Sequence, residues 1–270
     1  MTLPKSREAK KVNLDFNKEF ISTFTQNIES RNVEFINQTL KDLHEADVAN
    51  LIENLNPDTR NKLIEIESFN IDPEIFIELN ESVQSEVLQL LSIESLIKII
   101  KRLESDNAIK ILENLSKEVK EKVLVKLPPK DKFLLQEGLS YPEDSAARIM
   151  QREFTAVPSN WTVGQTIDYL RENKDLPEQF LEIYIVDENF KPIGAVPSSK
   201  VLRTPRETKM SSIMDDSIFL VPVDMDREEV GNSFENYNLN SACVIDKNNK
   251  LVGMITSDDV LTVLKEEAEE

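Results

Sequence analysis

The second half of the sequence contains the same pattern twice, and this repetition limits the fold more than any other feature. PIGAVPSSKVL (192–202) and LVGMITSDDVL (251–261) both begin as an apolar strand-like run, turn through polar residues and continue as a helix. Strand-like and amphipathic segments upstream extend the match to two copies of a β-α-β-β-α unit, each about sixty residues long. Because the order of elements is repeated, we expect two similar α+β units that pack against each other.

The first half, from about Phe20 to Leu139, has apolar residues at helical spacing throughout. It also repeats itself: LIENLNPDTRNKL (51–63) matches ILENLSKEVKEKV (111–123), and FIELNESVQSEVL (76–88) is a fainter copy. Each copy predicts a short helix, a polar turn and a second short helix. One such unit cannot bury its apolar face alone, so we expect the copies to stack into a superhelical α-repeat domain.

The charge and composition of the chain argue against several classes of function. The formal net charge is −18, which disfavours nucleic acid and anionic membrane surfaces as direct partners. A single cysteine, Cys243, lies in an apolar strand-like run, and a single histidine, His44, precedes a helix, so we expect neither a disulfide nor a zinc site. Without a nucleophile–base arrangement or an apolar run near the roughly 20 residues of a membrane span, we expect a soluble, non-enzymatic chain.

The strand-to-helix junction of the second copy carries side chains suited to binding a sugar. Thr256 stands at the strand end and Asp259 lies one turn into the next helix, so both are expected to point into one cleft. A carboxylate is a natural acceptor for two sugar hydroxyls. The first copy has Pro197 and Lys200 at these positions and lacks this chemistry. Any sugar bound through such side chains is therefore expected once per chain.

The tandem units resemble a pair of CBS domains, and GMITSDDVL is the strongest local match. In that family, the Thr and Asp of a G-h-h-T-x-x-D motif bind a nucleotide's ribose, so the resemblance implies that Thr256 and Asp259 bind ATP or another adenine nucleotide. The order of domains is more specific. A helical repeat domain, the segment SYPEDSAARIMQREFTAVPSNWTVGQTIDYLRE (140–172) and two CBS units together resemble the cytosolic part of an MgtE-type magnesium transporter/channel. This resemblance covers nearly the whole chain.

The resemblance implies a multidomain α and α+β architecture, in which an N-terminal superhelical α-repeat domain precedes a tandem CBS pair. The expected divisions are a flexible tail at 1–18, a helical MgtE N-type domain at 19–140, CBS units at 141–205 and 206–265, and the start of a connecting helix at 266–270. In the family a transmembrane pore domain follows that helix. We therefore expect a cytoplasmic-face fragment of a longer membrane protein, with a soluble relative as the alternative.

The resemblance also implies Mg²⁺ binding, which needs oxygen ligands and leaves several waters on the ion. The candidate ligands are Asp224, Asp226, Glu228, Asp246, Asp258 and Asp259 in the CBS units, and Glu104 and Asp106 in the helical domain. Acidic residues at helix starts are more often caps than ligands. We expect the capping role for Glu104 and Asp106, and the ligand role for Asp226, Glu228 and Asp259. Asn238 and Thr262 stand where the family commonly has Asp, so the ligand set is not identical.

The leading hypothesis is a regulatory Mg²⁺ sensor. In this hypothesis Mg²⁺ bridges acidic faces of the helical domain, the CBS pair and a second copy of the chain, and the bridged state closes the pore. A homodimer through the CBS units is expected, because a twofold pore needs a twofold sensor. Two alternatives stay open: an adenine-nucleotide-sensing CBS regulatory module, and a soluble interaction scaffold built on the helical repeat.

Overall fold

A computed structural model describes residues 16, 18–67, 71–177 and 179–269, without the side chains of residue 67 and residues 265–269. The tail expected at 1–18 lies almost entirely outside the described residues. The chain divides into two compact units. The first comprises Met1–Leu103 and Lys110–Leu127, and the second comprises Glu104–Ile109 and Pro128–Glu270.

The described residues before the first strand are helical, as the periodicity predicts. The helices are α1 (Lys18–Glu29), α2 (Val33–Asp42), α3 (Glu45–Asn54), α4 (Pro57–Glu67), α5 (Glu74–Glu78), α6 (Glu81–Leu90), α7 (Ile93–Ile100), α8 (Ser105–Glu113), α9 (Lys117–Lys126) and α10 (Pro129–Ser140). The three sequence copies fall on α3–α4, α5–α6 and α8–α9, each as two helices joined by a short turn. In the first unit α3 contacts α5, α4 contacts α6 and α7 contacts α9, so helices pack on their next-but-one neighbours.

A leucine ends most of these helices and marks a shorter repeat than the one found in the sequence. The leucines recur every twelve residues, with one double step in the middle, at Leu43, Leu55, Leu79, Leu91, Leu103, Leu115 and Leu127. All but Leu43 are buried. The next residue often caps the following helix: the side chains of His44, Asn56, Asn80, Ser92 and Ser116 accept backbone N–H groups. Most steps of the array thus combine a short helix, a buried leucine and a polar cap.

The second unit contains two three-stranded sheets with the same topology. The strands are β1 (Ala156–Pro158), β2 (Glu182–Val186) and β3 (Pro192–Pro197) in one sheet, and β4 (Leu220–Pro222), β5 (Ser241–Ile245) and β6 (Leu251–Thr256) in the other. In each sheet the first pair is parallel and the second is antiparallel. The helices are α11 (Val163–Glu172), α12 (Ser198–Leu202), α13 (Arg227–Tyr237) and α14 (Ser257–Glu269). This arrangement confirms the tandem β-α-β-β-α prediction.

Several local features of this unit follow from residues close together in the sequence. Thr162 and Gln165 form a capping box at the start of α11. Cys243 is buried, and Trp161 packs on the core of the first sheet, edge-on to Tyr169. The backbone of α14 continues to Glu269, so the expected start of a connecting helix extends α14 without a break. No helix in the described ranges is both long and apolar enough to cross a membrane.

The segment before each β-α-β-β-α unit packs on the other β-α-β-β-α unit. Ala146, Ala147 and Met150, which precede β1, lie in the core of the sheet β4–β6. Met210, which precedes β4, lies in the core of the sheet β1–β3. Gly253 allows the close approach, because a Cβ there would lie 2.7 Å from Met150 Sδ and 2.8 Å from the Gln151 carbonyl oxygen. This reciprocal packing brings residues 150–153 next to β6 and α14, more than a hundred residues further along the chain.

Candidate metal and nucleotide site

Thr256 and Asp259 meet where β6 ends and α14 begins, as the sequence predicts. Asp259 Oδ2 accepts hydrogen bonds from the backbone N–H of Thr256 at 2.8 Å and from Thr256 Oγ1 at 2.7 Å. Gln151 Nε2 donates to Asp259 Oδ1 at 3.2 Å. Asp259 therefore closes the first turn of α14 like the acidic residue of a capping box. One carboxylate thus combines the capping role with a position in the predicted cleft.

Asp106, in the first turn of α8, lies close enough to Asp259 for the two charges to interact. The Asp106 side chain as a whole is half-buried, but its Oδ1 atom is shielded from solvent and accepts no hydrogen bond from the described residues. Burial raises the pKa of Asp106 well above its usual value, and the charges of Asp259 and Glu104 raise it further. We expect a capping role for Asp106 from the sequence; the structure adds that its charge interacts with a second carboxylate and that its Oδ1 atom is left unsatisfied.

Burial also raises the pKa of Asp259, although the hydrogen bonds from Thr256 and Gln151 oppose the shift. Two partly desolvated carboxylates from separate parts of the second unit therefore lie close enough for their charges to interact. A cation placed between them would neutralise their repulsion and coordinate the unsatisfied oxygen. The arrangement is chemically suited to a hard cation with oxygen ligands.

The other predicted ligands lie on the surface. Asp226 is the N-cap of α13 and accepts the Glu228 N–H at 2.8 Å; Asp224 and Glu228 are exposed. Asp246 accepts backbone N–H groups from Asn248 and Lys250 at 2.8 and 2.9 Å, and the Lys250 bond in particular lowers the pKa of Asp246.

Glu104 and Asp258 are also exposed. Asp258 Oδ1 lies 2.6 Å from Thr256 Oγ1, so it shares the one proton of that hydroxyl with Asp259. Among the described residues, no group of three or more His, Cys, Asp or Glu side chains is placed to hold a metal ion. Of the eight predicted ligands, the structure thus brings Asp106 and Asp259 together in a shielded location. Any ion there would depend on water for its remaining ligands.

The first CBS unit does not have the Thr and Asp side chains at the equivalent junction, between β3 and α12. Pro197 precedes α12 and makes no side-chain hydrogen bond to the helix, and Lys200 is exposed. The difference between the two junctions predicted from the sequence is therefore present in the structure.

Three residues that contact this site, Gln151, Arg152 and Glu153, were missed from the sequence. Gln151 donates to Asp259, and Glu153 accepts hydrogen bonds from Ser105, the residue before Asp106. A signal for Gln151 existed: Ile149-Met150 aligns with Ile213-Met214, which marks residues 149–151 as part of the repeated pattern. The reciprocal packing that carries them to Asp259 has no local signature.

Comparison with known proteins now places the chain. Residues 43–144 match the family model of the MgtE intracellular N domain, and residues 146–207 and 210–266 each match the model of the CBS domain. The chain thus combines a match to the MgtE intracellular N domain with two CBS domains, in that order. The two CBS matches coincide with the two β-α-β-β-α units, and the MgtE N-domain match covers most of the helical array, which confirms the fold class and the resemblance found in the sequence.

Individual MgtE relatives match part of their own length. A magnesium transporter MgtE from Thermus thermophilus is 32% identical over 144 residues, which are 53% of this chain and 32% of the relative. The MgtE of Bacillus subtilis is 28% identical over 132 residues, 49% of this chain and 29% of the relative. The chain thus spans about a third of the length of the curated relatives that it matches.

Two solved structures share the MgtE cytosolic fold over nearly their whole length. The cytosolic domain of the Mg²⁺ channel MgtE, crystallised in complex with ATP, has a TM-score of 0.81 and 25% identity, covering 90% of this chain and 99% of that one. The soluble part of a magnesium transporter has a TM-score of 0.79 and 22% identity, covering 93% and 99%. The second similarity establishes the fold alone.

Proposed function

We propose that this chain is the Mg²⁺-sensing cytosolic regulatory region of a magnesium transporter or channel and has no enzymatic activity of its own. The observation that carries the proposal is the pair formed by Asp106 and Asp259. Their carboxylates share a shielded location, and the Asp106 Oδ1 atom has no hydrogen-bond donor among the described residues. Mg²⁺ suits this arrangement, because it binds through one or two carboxylates and completes its octahedron with water.

The proposed sensor works by population shift. Without Mg²⁺, the repulsion between Asp106 and Asp259 opposes the arrangement in which the start of α8 lies against the CBS pair. Mg²⁺ binds that arrangement and stabilises it by roughly RT ln(1 + [L]/Kd) for each independent site. In a full-length protein we propose that the Mg²⁺-bound arrangement closes the pore. Asp224, Asp226, Glu228, Asp246, Asp258 and Glu104 remain candidates for further, more exposed ion sites.

Isothermal titration with MgCl₂ tests the proposed site. We expect Asp106→Asn and Asp259→Asn each to weaken Mg²⁺ binding by roughly tenfold or more, because each removes one of two charged ligands. Asp58→Asn is the matched control, since Asp58 is exposed on α4 and undergoes the same change of charge. NaCl at equal ionic strength should give no saturable heat. Parent-like affinity in both Asp106→Asn and Asp259→Asn would exclude this pair as the Mg²⁺ site.

A second candidate function, sensing of an adenine nucleotide, is supported by the Thr256–Asp259 contact and by a 25%-identical MgtE structure that contains ATP. Asp259 and Thr256 would hold the ribose, whose hydroxyls would replace the Thr256 hydroxyl as donors to Asp259 Oδ2. We expect ATP to bind once per chain, and Asp259→Ala to abolish binding in titration calorimetry. Lys200→Ala, at the equivalent junction of the other CBS unit, should leave binding unchanged. Two equal sites would argue against this assignment.

The proposed location and partners follow from the same function. We place the chain at the cytoplasmic face of a membrane, joined to a transmembrane pore domain and paired with a second copy through the CBS units. The exposed apolar side chains of the CBS units support the pairing, because Leu181 and Leu202 are 74% and 78% exposed in a single chain.

A further inference from the structure

Glu153 anchors the beginning of α8. Its Oε2 atom accepts hydrogen bonds from the Ser105 backbone N–H at 3.1 Å, from Ser105 Oγ at 2.8 Å and from the Arg152 backbone N–H at 3.1 Å. Ser105 is buried and is the first residue of α8, and Asp106 is the second. A carboxylate at a helix N-terminus is held by free N–H groups and by the helix dipole. Glu153 therefore holds the turn that carries Asp106.

Arg152, the residue before Glu153, attaches this part of the chain to β6. Its guanidinium donates from Nη1 to the Val252 carbonyl oxygen at 3.1 Å, and from Nη2 to Glu137 at 3.0 Å. The Arg152 side chain is 11% exposed, so these contacts are little weakened by solvent. The anchor for α8 is thus attached to the strand that leads into Asp259.

Gln151 completes the connection on the Asp259 side. Its backbone exchanges two hydrogen bonds with Met254, at 2.8 and 2.9 Å, and its side chain donates to Asp259 Oδ1 at 3.2 Å. Gln151 is 3% exposed. The segment 151–153 is therefore connected to both carboxylates: Gln151 contacts Asp259 directly, and Glu153 reaches Asp106 through Ser105.

We propose that residues 151–153 form a positioning segment for the Asp106–Asp259 pair, and that Glu153 sets the place of Asp106 in it. This inference rests on the proposed Mg²⁺ function. Asp106 and Asp259 repel each other without an ion, so an independent attachment is needed to keep the start of α8 beside α14. In this scheme Glu153 positions Asp106 through its Oε2 atom, which three donors share, and does not itself bind the ion. Residues that orient a metal ligand in this way typically contribute about 10- to 100-fold to metal affinity.

Three variants test the role of Glu153 by Mg²⁺ titration calorimetry at a temperature where each is folded. Glu153→Ala removes the acceptor and should weaken Mg²⁺ binding by roughly tenfold. Glu153→Gln keeps an acceptor oxygen for the same donors and should retain most of the affinity, whereas a direct ligand would lose it in both variants. Ser105→Ala removes the hydroxyl, which donates to Glu153 and accepts the Arg152 backbone N–H at 2.8 Å, but keeps the backbone N–H contact to Glu153, and should give a smaller loss. It decides the question if Glu153→Ala does not fold.

A double-mutant cycle separates positioning from stability. If Glu153 acts through Asp106, then Asp106→Asn combined with Glu153→Ala should bind Mg²⁺ no more weakly than Asp106→Asn alone. Glu235→Ala, at an exposed position on α13, is the control and should leave affinity unchanged. A purely structural role predicts a lower melting temperature in EDTA with parent Mg²⁺ affinity, and that result would overturn the positioning role alone. Parent affinity in Asp106→Asn alone would overturn the role of Glu153 through Asp106, and parent affinity in both Asp106→Asn and Asp259→Asn would overturn the proposed Mg²⁺ site as well.

Discussion

Arg60 is a charged side chain within the core of the helical unit, 5% exposed. It donates hydrogen bonds from Nε to the Ile52 carbonyl oxygen at 3.1 Å and from Nη2 to that of Leu55 at 3.0 Å, and it forms an ion pair with Glu86. The last carbonyl groups of a helix have no donor within the helix, and Arg60 supplies one to Leu55 and a second one to Ile52, which also accepts the Leu55 N–H. Arg60 thus links one turn of the array to the next while remaining fully satisfied.

Replacing Arg60 by methionine should destabilise the first unit by about 3 kcal/mol, because it leaves buried acceptors and the Glu86 carboxylate without their donor. Arg31→Met is the matched control. Arg31 is 75% exposed, and it pairs with Glu65 at 4.0 Å. Its loss should cost less than about 1 kcal/mol. Urea unfolding followed by circular dichroism measures both values, and equal effects would show that Arg60 acts as an ordinary surface charge.

Tyr184 and Cys243 lie in the shared core between the two sheets, and burial raises the pKa of both groups. Tyr184 also donates its hydroxyl to Ser241 Oγ at 2.9 Å, and Ser241 donates to Glu182 at 2.7 Å. The folded chain therefore retains two protons that the unfolded chain loses near the usual pKa values of about 8.5 and 10. The stabilisation is complete below these values and is lost as the pH rises above them.

The second unit should consequently become less stable between about pH 8.5 and 11, with a slope of up to about 1.4 kcal/mol per pH unit for each ionising group. Tyr184→Phe should reduce this slope above about pH 10, and Cys243→Ala should reduce it from about pH 8.5. Tyr237→Phe is the control, because Tyr237 is 66% exposed. Urea midpoints across the pH range give the slopes; the same slope in all three variants and the parent would contradict the assignment.

The helices of the first unit are short, between 5 and 12 residues from α1 to α7, and their packing rather than their length stabilises them. The buried leucines of the twelve-residue repeat lie at or just after helix ends, and four of them, Leu55, Leu79, Leu91 and Leu115, precede a polar residue that caps the following helix. The leucine and the cap together fix where one helix stops and the next begins. The twelve-residue period therefore reflects the spacing of helix ends and not the apolar faces of the helices.

Leu90 and Leu91 provide a neighbouring pair for testing this interpretation. Leu91 is 8% exposed at the end of α6, whereas Leu90 is 45% exposed. Leu91→Ala should lower the free energy of unfolding of the first unit by about 3 kcal/mol, as expected for a buried leucine, and Leu90→Ala by well under half of that. Chemical denaturation of both variants gives the comparison. A larger cost at Leu90 would mean that the helix face, and not the buried end, carries the repeat.

The whole chain carries a net charge of −18 and exposes large apolar side chains on its CBS units. Both features are explained by the proposed assembly. The negative charge makes compaction dependent on cations, and the apolar side chains supply a surface for a second copy. A symmetric pair buries the same surface on both members, so one substitution changes the interface twice.

Sedimentation at saturating Mg²⁺ should therefore reveal a homodimer, and Leu202→Asp together with Leu261→Asp should shift it toward monomer by at least about tenfold in dissociation constant. Leu202 and Leu261 are 78% and 57% exposed, on α12 and α14. Val33→Asp is the control, since Val33 is exposed in the helical unit at 43%. A monomer at every concentration of the parent chain would count against pairing through the CBS units.

The sequence by itself determined the order and type of the elements, because these depend on local periodicity and local capping. The helical repeats, the two β-α-β-β-α units, the Thr162 capping box and the Thr256–Asp259 junction are all defined by residues within a few positions of one another. Such interactions involve residues that are close together in the sequence, and each of them is present in the structure. The twelve-residue leucine period is also present in the sequence, but the longer match between residues 51–63 and 111–123 was found there instead.

Only the tertiary structure decided which polar residues meet. Asp106 has the sequence context of an ordinary helix start, and Gln151 and Glu153 have that of a linker. Their importance comes from the reciprocal packing of the CBS pair, which places residue 151 against residue 259. Burial then gives the Asp106 carboxylate its raised pKa and leaves its Oδ1 atom unsatisfied. These properties depend on desolvation and on contacts across more than a hundred residues, which no local pattern encodes.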